Sequence, residues 1–137
     1  MGEVSWKRHF RYYDFFQMNR DAYVDTLKFH LKKLENFHKI LDSGAGSGNL
    51  TLEFLKNGHE IVAVDSNKYS LKILENKCKK FSKNLLIKKM DVQELNFEKE
   101  SFDAVSSMFV VPFVGNNKKY FSEVYDVLRK KGKFSIS

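Results

Sequence analysis

Residues 40–49 read ILDSGAGSGN, and the reading of this stretch decides the fold. An apolar run reaches an acidic residue, Asp42, after which Gly44, Gly46 and Gly48 recur at every second position. Glycine behind a buried strand lets the backbone turn sharply and approach a ligand with no Cβ in the way. A dinucleotide-binding loop requires the spacing G-x-G-x-x-G; counted from Gly44, its third place falls on Asn49. A phosphate-binding loop requires Gly-Lys followed by Ser or Thr, and the chain contains no such triplet. The loop therefore joins a strand to a helix without the features that cradle a pyrophosphate or a nucleoside triphosphate.

Outward from this loop, strand and helix patterns alternate. Residues 47–56 read as a helix with Leu50, Leu52, Phe54 and Leu55 as its apolar contacts, stopped by Asn57-Gly58. Residues 60–65 (EIVAVD) form a continuous apolar run, the mark of a strand buried on both faces. Ser66 is placed to cap a helix reaching residue 81, with Leu71, Leu74, Cys78 and Phe81 on its inner stripe. Residues 85–90 and 102–108 are the third and fourth strands. A helix over 117–129 carries Phe121, Val124, Tyr125 and Leu128, Lys131-Gly132 ends it, and 133–137 begin a fifth strand. Upstream, 37–42 form the first strand, and Tyr23, Leu27, Leu31 and Leu34 line one face of a helix starting at Asp21. Residues 1–20 crowd Trp6, Phe10, Tyr12, Tyr13, Phe15 and Phe16 without clear periodicity, which suits a short helix or loop packed across another surface.

This alternation predicts an α/β fold: a doubly wound parallel sheet with right-handed crossovers and helices on both faces. In such open sheets ligands bind beyond the carboxyl ends of the strands, where the strand order reverses. That rule selects residues 42–48, Asp65, Asp91 and 107–109.

A length of 137 residues accommodates one domain. The net charge of +7 raises nucleic acid as a partner, but arginine is limited to Arg8, Arg11, Arg20 and Arg129. Nucleic-acid surfaces favour arginine, whose fork reads phosphate and guanine bidentately. The lysines, densest at 32–33, 79–80, 88–89 and 130–131, read as a solvated surface, so nucleic acid is disfavoured. A single cysteine, Cys78, excludes an internal disulfide and a multi-cysteine metal site; it suits a reducing compartment, and no metal is expected. No apolar run approaches bilayer-spanning length and no leader pattern is visible, so the expectation is a cytoplasmic protein with no membrane partner.

The motifs taken together resemble the class I, Rossmann-like, S-adenosylmethionine-dependent methyltransferases. LDSGAGSG is similar to their first motif, an aspartate two residues before G-x-G-x-G. IVAVDSN resembles their second strand, KKMDVQEL the adenine-reading segment, FDAVSSMFVVPFV the fourth strand and active-site edge, and VLRKKGKFSIS the helix-to-fifth-strand junction. FRYYDFF is similar to a tyrosine-aspartate segment that precedes the core in small-molecule members. The resemblance implies strand order 3-2-1-4-5 and S-adenosylmethionine as cofactor. It implies two regions in one domain: 1–36 covering the cofactor site, and 37–137 as the cofactor-binding core.

Residue by residue, the resemblance assigns Gly44, Ala45 and Gly46 to the methionine moiety. Asp42 accepts from a loop amide or faces the cofactor ammonium. Asp65, with Ser66 beside it, takes the ribose hydroxyls, Asp91 the adenine amino group, and the Val92 amide a ring nitrogen. Ser107 and Met108 line the active-site edge; Met108 and Phe109 flank the adenine or the methyl, or are plain core. Tyr13, with Tyr12, sits near the sulfonium or packs as a lid. The implied reaction is in-line methyl transfer to a small-molecule acceptor. His9, Asp14, Glu94 and the Tyr12-Tyr13 pair are candidate bases among which nothing selects. The SSMFVVPF stretch lacks the Asn/Asp-Pro-Pro-aromatic signature of amino methylation on bases or glutamine, and no Pro-Cys pair is present for cytosine methylation. The family fold has two further strands, which this chain lacks; a truncated form, a homodimer or a partner chain completing the sheet edge is the expectation. The alternatives are a non-catalytic cofactor-binding scaffold subunit and an RNA methyltransferase.

Overall fold

The structure, a computed structural model, describes residues 20–137; the tyrosine pair at 12–13, including the candidate site residue Tyr13, lies outside the described residues. Strands β1 (Lys39–Ser43), β2 (Glu60–Asp65), β3 (Leu85–Lys89), β4 (Phe102–Ser107) and β5 (Leu128–Ile136) form one parallel sheet. Their order is β3-β2-β1-β4-β5, so the sheet runs one way from β1 through β2 and the other way through β4. Helices α1 (Asp21–Leu34), α2 (Asn49–Lys56), α3 (Lys68–Lys77) and α4 (Asn117–Val127) cover it, with 3-10 turns at Lys79–Asn84 and Val111–Phe113. No helix among the described residues is long and apolar enough to cross a membrane.

Side chains alternate across a strand, and β1 divides the core accordingly. Ile40 packs with Leu34, Phe54, Ile61 and Leu74 under α1, α2 and α3; Leu41 packs with Val64, Val105, Tyr120 and Val124 under α4. Burying each such side chain contributes roughly 1.5–3 kcal/mol.

Several boundaries differ from the sequence reading, each for a local reason. The cap of α3 is Asn67, whose side chain accepts from the amides of Tyr69 (2.9 Å) and Ser70 (3.2 Å). Ser66 is displaced from that role because Asp65 Oδ1 accepts from the Asn67 amide at 2.8 Å and turns the chain one residue further. Helix α4 buries Tyr120, Val124 and Val127, while Phe121 is 42% and Tyr125 80% exposed. Both sets have helical spacing; the tie is broken by the Tyr120 hydroxyl, which meets Ser43 Oγ at 2.9 Å on β1. The fifth strand starts directly at Leu128, where α4 ends, and its register against β4 shifts between Phe102 and Ala104. Lys131 takes a left-handed φ of 64° in this irregularity, and a Cβ on Gly132 would stand 2.8 Å from the Arg129 carbonyl. Asp103 braces it, accepting from Arg129 Nε at 2.8 Å and from the Lys39 amide at 2.9 Å.

Two titratable side chains hold the layers together from inside. Asp42, 2% exposed, accepts from Thr51 Oγ1 of α2 at 2.5 Å and from Ser106 Oγ of β4 at 3.2 Å. His30 of α1, with no exposure, meets Ser135 Oγ at 2.8 Å and Ser137 Oγ at 3.0 Å, tying α1 to β5. Burial pushes the Asp42 carboxyl up to about 6, against the pull of the two hydroxyls, and pushes the His30 imidazole down to about 4.

These shifts act oppositely on stability. The unfolded chain ionises Asp42 before the folded one does, so its contribution is full below about 3.8 and is lost as pH rises through about 6. The unfolded chain protonates His30 first, so its contribution is full above about 6.5 and is lost as pH falls towards about 4. Each amounts to about 3 kcal/mol across its window, and in the native protein the two slopes largely cancel between these limits. Urea titrations between those limits are expected to show stability rising with pH in Asp42→Asn and falling with pH in His30→Gln.

Candidate functional site

The strand-order reversal opens a cleft of about 570 Å³ beyond the ends of β1, β2 and β4. Its back wall is the glycine loop, fastened to the end of β2. The amides of Gly44 and Ala45 both donate to the Val64 carbonyl at 2.9 Å, and the Gly46 amide donates to Asp65 Oδ2 at 3.0 Å. Asp65 thus holds the loop with one oxygen and the start of α3 with the other.

The glycines serve different purposes. A Cβ on Gly44 would collide with the Val110 side chain, and one on Gly48 with Leu74, so these two positions admit packing partners. Gly46, at φ 55°, has nothing within 4 Å of where a Cβ would stand; it is the bare stretch of backbone facing the cleft.

Of the residues singled out in the sequence, Asp42, Gly44, Ala45, Gly46, Asp65, Ser66, Asp91, Val92 and Met108 all line this one cleft. Three strand ends therefore bring three carboxylates to a single space. Asp91 is exposed and accepts from the Gln93 amide at 2.8 Å. Ser107 is the exception: it is fully buried and absent from the lining. Pairing with Ile136, and the Ser137 amide donating to the Ser107 carbonyl at 3.1 Å, carry the sheet through it, so the cleft opens one residue later.

Other lining residues escaped the sequence reading. Tyr23, which the helical spacing assigns to the apolar face of α1, lines the cleft, accepts from Asn49 Nδ2 at 3.0 Å and stacks on Phe109 at 5.8 Å between ring centroids. Val110, Phe113 and Val114 form an apolar wall after β4, and Phe109 adopts φ 58°, a conformation that non-glycine residues seldom take. Gln93 bridges the walls, its Oε1 accepting from the Asn116 amide at 2.8 Å. Phe109 belongs to the strand-end stretch that the sequence selects; of the others, the long-range reach of Gln93 singles one out, and it has no local sequence signature.

Among the candidate bases, Glu94 pairs with Lys119 at 3.9 Å, and His9, Asp14 and the tyrosine pair lie outside the described residues. The three described histidines beyond residue 20 that remain are engaged elsewhere: His30 with β5, His38 near Glu60 at 3.6 Å, and His59 with the Phe37 carbonyl at 2.6 Å. No lysine, arginine or histidine lines the cleft among the described residues.

Comparison with known proteins bears on the family and the fold. Residues 41–136 match a family model described as a methyltransferase domain. The chain is 31% identical over 110 residues to a sterol 24-C-methyltransferase of Candida albicans, covering 78% of this chain and 29% of that protein. It is 28% identical over 98 residues to a demethylmenaquinone methyltransferase of Tropheryma whipplei, covering 72% and 40%. A solved SAM-dependent methyltransferase from Thermotoga maritima shares the fold, with a TM-score of 0.76 at 20% identity over 96% of this chain and 58% of that one. The chain spans less than half the length of these two curated relatives. Its family match reaches from β1 through the glycine loop to the end of β5, and the chain belongs to the methyltransferase-domain family, within the class I S-adenosylmethionine-dependent methyltransferases.

Proposed function

We propose that this chain binds S-adenosylmethionine in the cleft and transfers its methyl group to an uncharged small-molecule acceptor. The observation that carries the reading is the convergence of Asp42, Asp65 and Asp91 around the bare backbone of Gly46. A ligand with net positive charge suits a cleft whose described charged side chains are all carboxylates. The cleft volume also lies in the range of small-ligand sites. Two of the relatives are named for small-molecule acceptors, a sterol and demethylmenaquinone.

In this reading Gly44, Ala45 and Gly46 receive the methionine moiety and Asp42 faces its ammonium from below. Asp65 retains lone pairs for the ribose hydroxyls after serving Gly46 and Asn67, because a carboxylate accepts about four hydrogen bonds. Ser66 adjoins it, Asp91 takes the adenine amino group, and the Val92 amide and Met108 flank the ring. When bound, the cofactor supplies a methyl group already activated by positive sulfur. The chain then contributes alignment and exclusion of water, the latter from Phe109, Val110 and Val114. The thiol of Cys78, which burial pushes up to about 11, lies outside the cleft lining and takes no part.

Calorimetric titration is expected to show binding of adenosylmethionine and adenosylhomocysteine and none of NAD. Asp91→Ala is expected to weaken adenosylmethionine by about tenfold to a hundredfold, the value of a charged hydrogen bond, with little change in the urea midpoint, since among the described residues that side chain hydrogen-bonds only with Gln93. Asp65→Ala should lose both affinity and stability, because it also releases the glycine loop. Undiminished binding in both variants would overturn the site. Gly46→Ala, whose Cβ meets nothing but whose left-handed φ of 55° strains any L side chain, is expected to lower the urea midpoint while remaining folded and to weaken the cofactor, read by the same titration beside circular dichroism.

A further inference from the structure

The chain's formal charge of +7 is not spread evenly. Residues 68–89 hold eight lysines, no arginine and one acidic residue, Glu75, so this unit alone carries the formal charge of the whole chain. The unit is contiguous in space: α3 packs on β2 and β3, and the 3-10 turn at Lys79–Asn84 packs on β3, which is the edge strand of the sheet. Lys72, Lys79, Lys80, Lys83, Lys88 and Lys89 are exposed, and none has a carboxylate partner among the described residues.

Apolar groups adjoin this charge. Leu86 of β3 is 50% exposed between the lysines, and Phe113 is 87% exposed on the rim of the cleft. The two regions meet, because β3 ends at Lys89 just before Asp91, and the Asn116–Gln93 hydrogen bond draws the segment after β4 against that loop.

We propose that the β3 edge is a docking surface for an anionic lipid surface, with Leu86 and Phe113 entering the headgroup layer beside it. Lysine is a compact, strongly hydrated point charge that answers to the summed field of a charged plane. Nucleic acid would draw on arginine forks, and this unit has no arginine. A polyanion in water gives no reason for apolar side chains to stand out among the charges, whereas the boundary of a bilayer does. Such docking needs no membrane-crossing helix. It is independent of methyl transfer, which the adenosylmethionine titration reads separately.

The test is co-sedimentation of the full chain with vesicles of phosphatidylcholine alone and of an equimolar mixture with phosphatidylglycerol. Binding is expected only to the mixed vesicles, and is expected to vanish between about 0.1 M and about 1 M salt as the Debye length falls from ~10 to ~3 Å. The triple variant Lys80→Gln, Lys83→Gln, Lys89→Gln should lose affinity on the order of a hundredfold, about fivefold per lysine. A charge-matched control, Lys28→Gln, Lys99→Gln, Lys130→Gln, should lose far less, with circular dichroism confirming that both are folded. Equal losses in the two triples, binding to neutral vesicles as strong as to mixed ones, or no vesicle binding would overturn the proposal. So would preferential binding of single-stranded RNA that only the first triple abolishes.

Discussion

The carboxylate of Asp65 holds together the part of the molecule on which the site depends. One oxygen fixes the amide of Gly46 and the other the amide of Asn67. The glycine loop and the start of α3 are thereby both referred to the tip of β2. The Val64 carbonyl, accepting from two consecutive loop amides, completes the attachment. A loop of small residues would otherwise have many conformations to lose on binding. Held this way it presents backbone to the cleft in advance, and the same acidic group that organises it lines the cleft.

The parts of this arrangement that were legible in the sequence are those decided locally. The continuous apolar run of β2 marks Glu60–Asp65 at both ends, because burial on both faces admits no polar interruption. The glycine spacing places the turn, and the strand-tip aspartates follow from the rule that ligands collect at carboxyl ends. What was not legible depends on distant partners. Tyr120 and Phe121 are equally good candidates for the inner face of α4 until Ser43, far away in the chain, supplies a partner for one of them. Ser107 looks like a strand end until β5 extends past it. His30 resembles a solvated interruption of a leucine stripe until two serines near the end of β5 accept it into the core.

The placement of charge follows the same division between inside and outside. The acidic groups that matter lie in or beneath the cleft, while the lysines gather on α3, its following turn and β3. A concave acidic space behind a basic rim produces a field that changes sign over a short distance, and both signs are local features that the net charge conceals.

The five strands are unequally protected. Every residue of β1 after Lys39 is buried, whereas none of the five residues of β3 is, and β5 buries Ser135 alone. Amide protons of β3 therefore exchange through small local openings, while those of β1 wait for global unfolding. The sheet frays from its β3 margin inward, and the loops around the cleft hang chiefly from the strands that let go last.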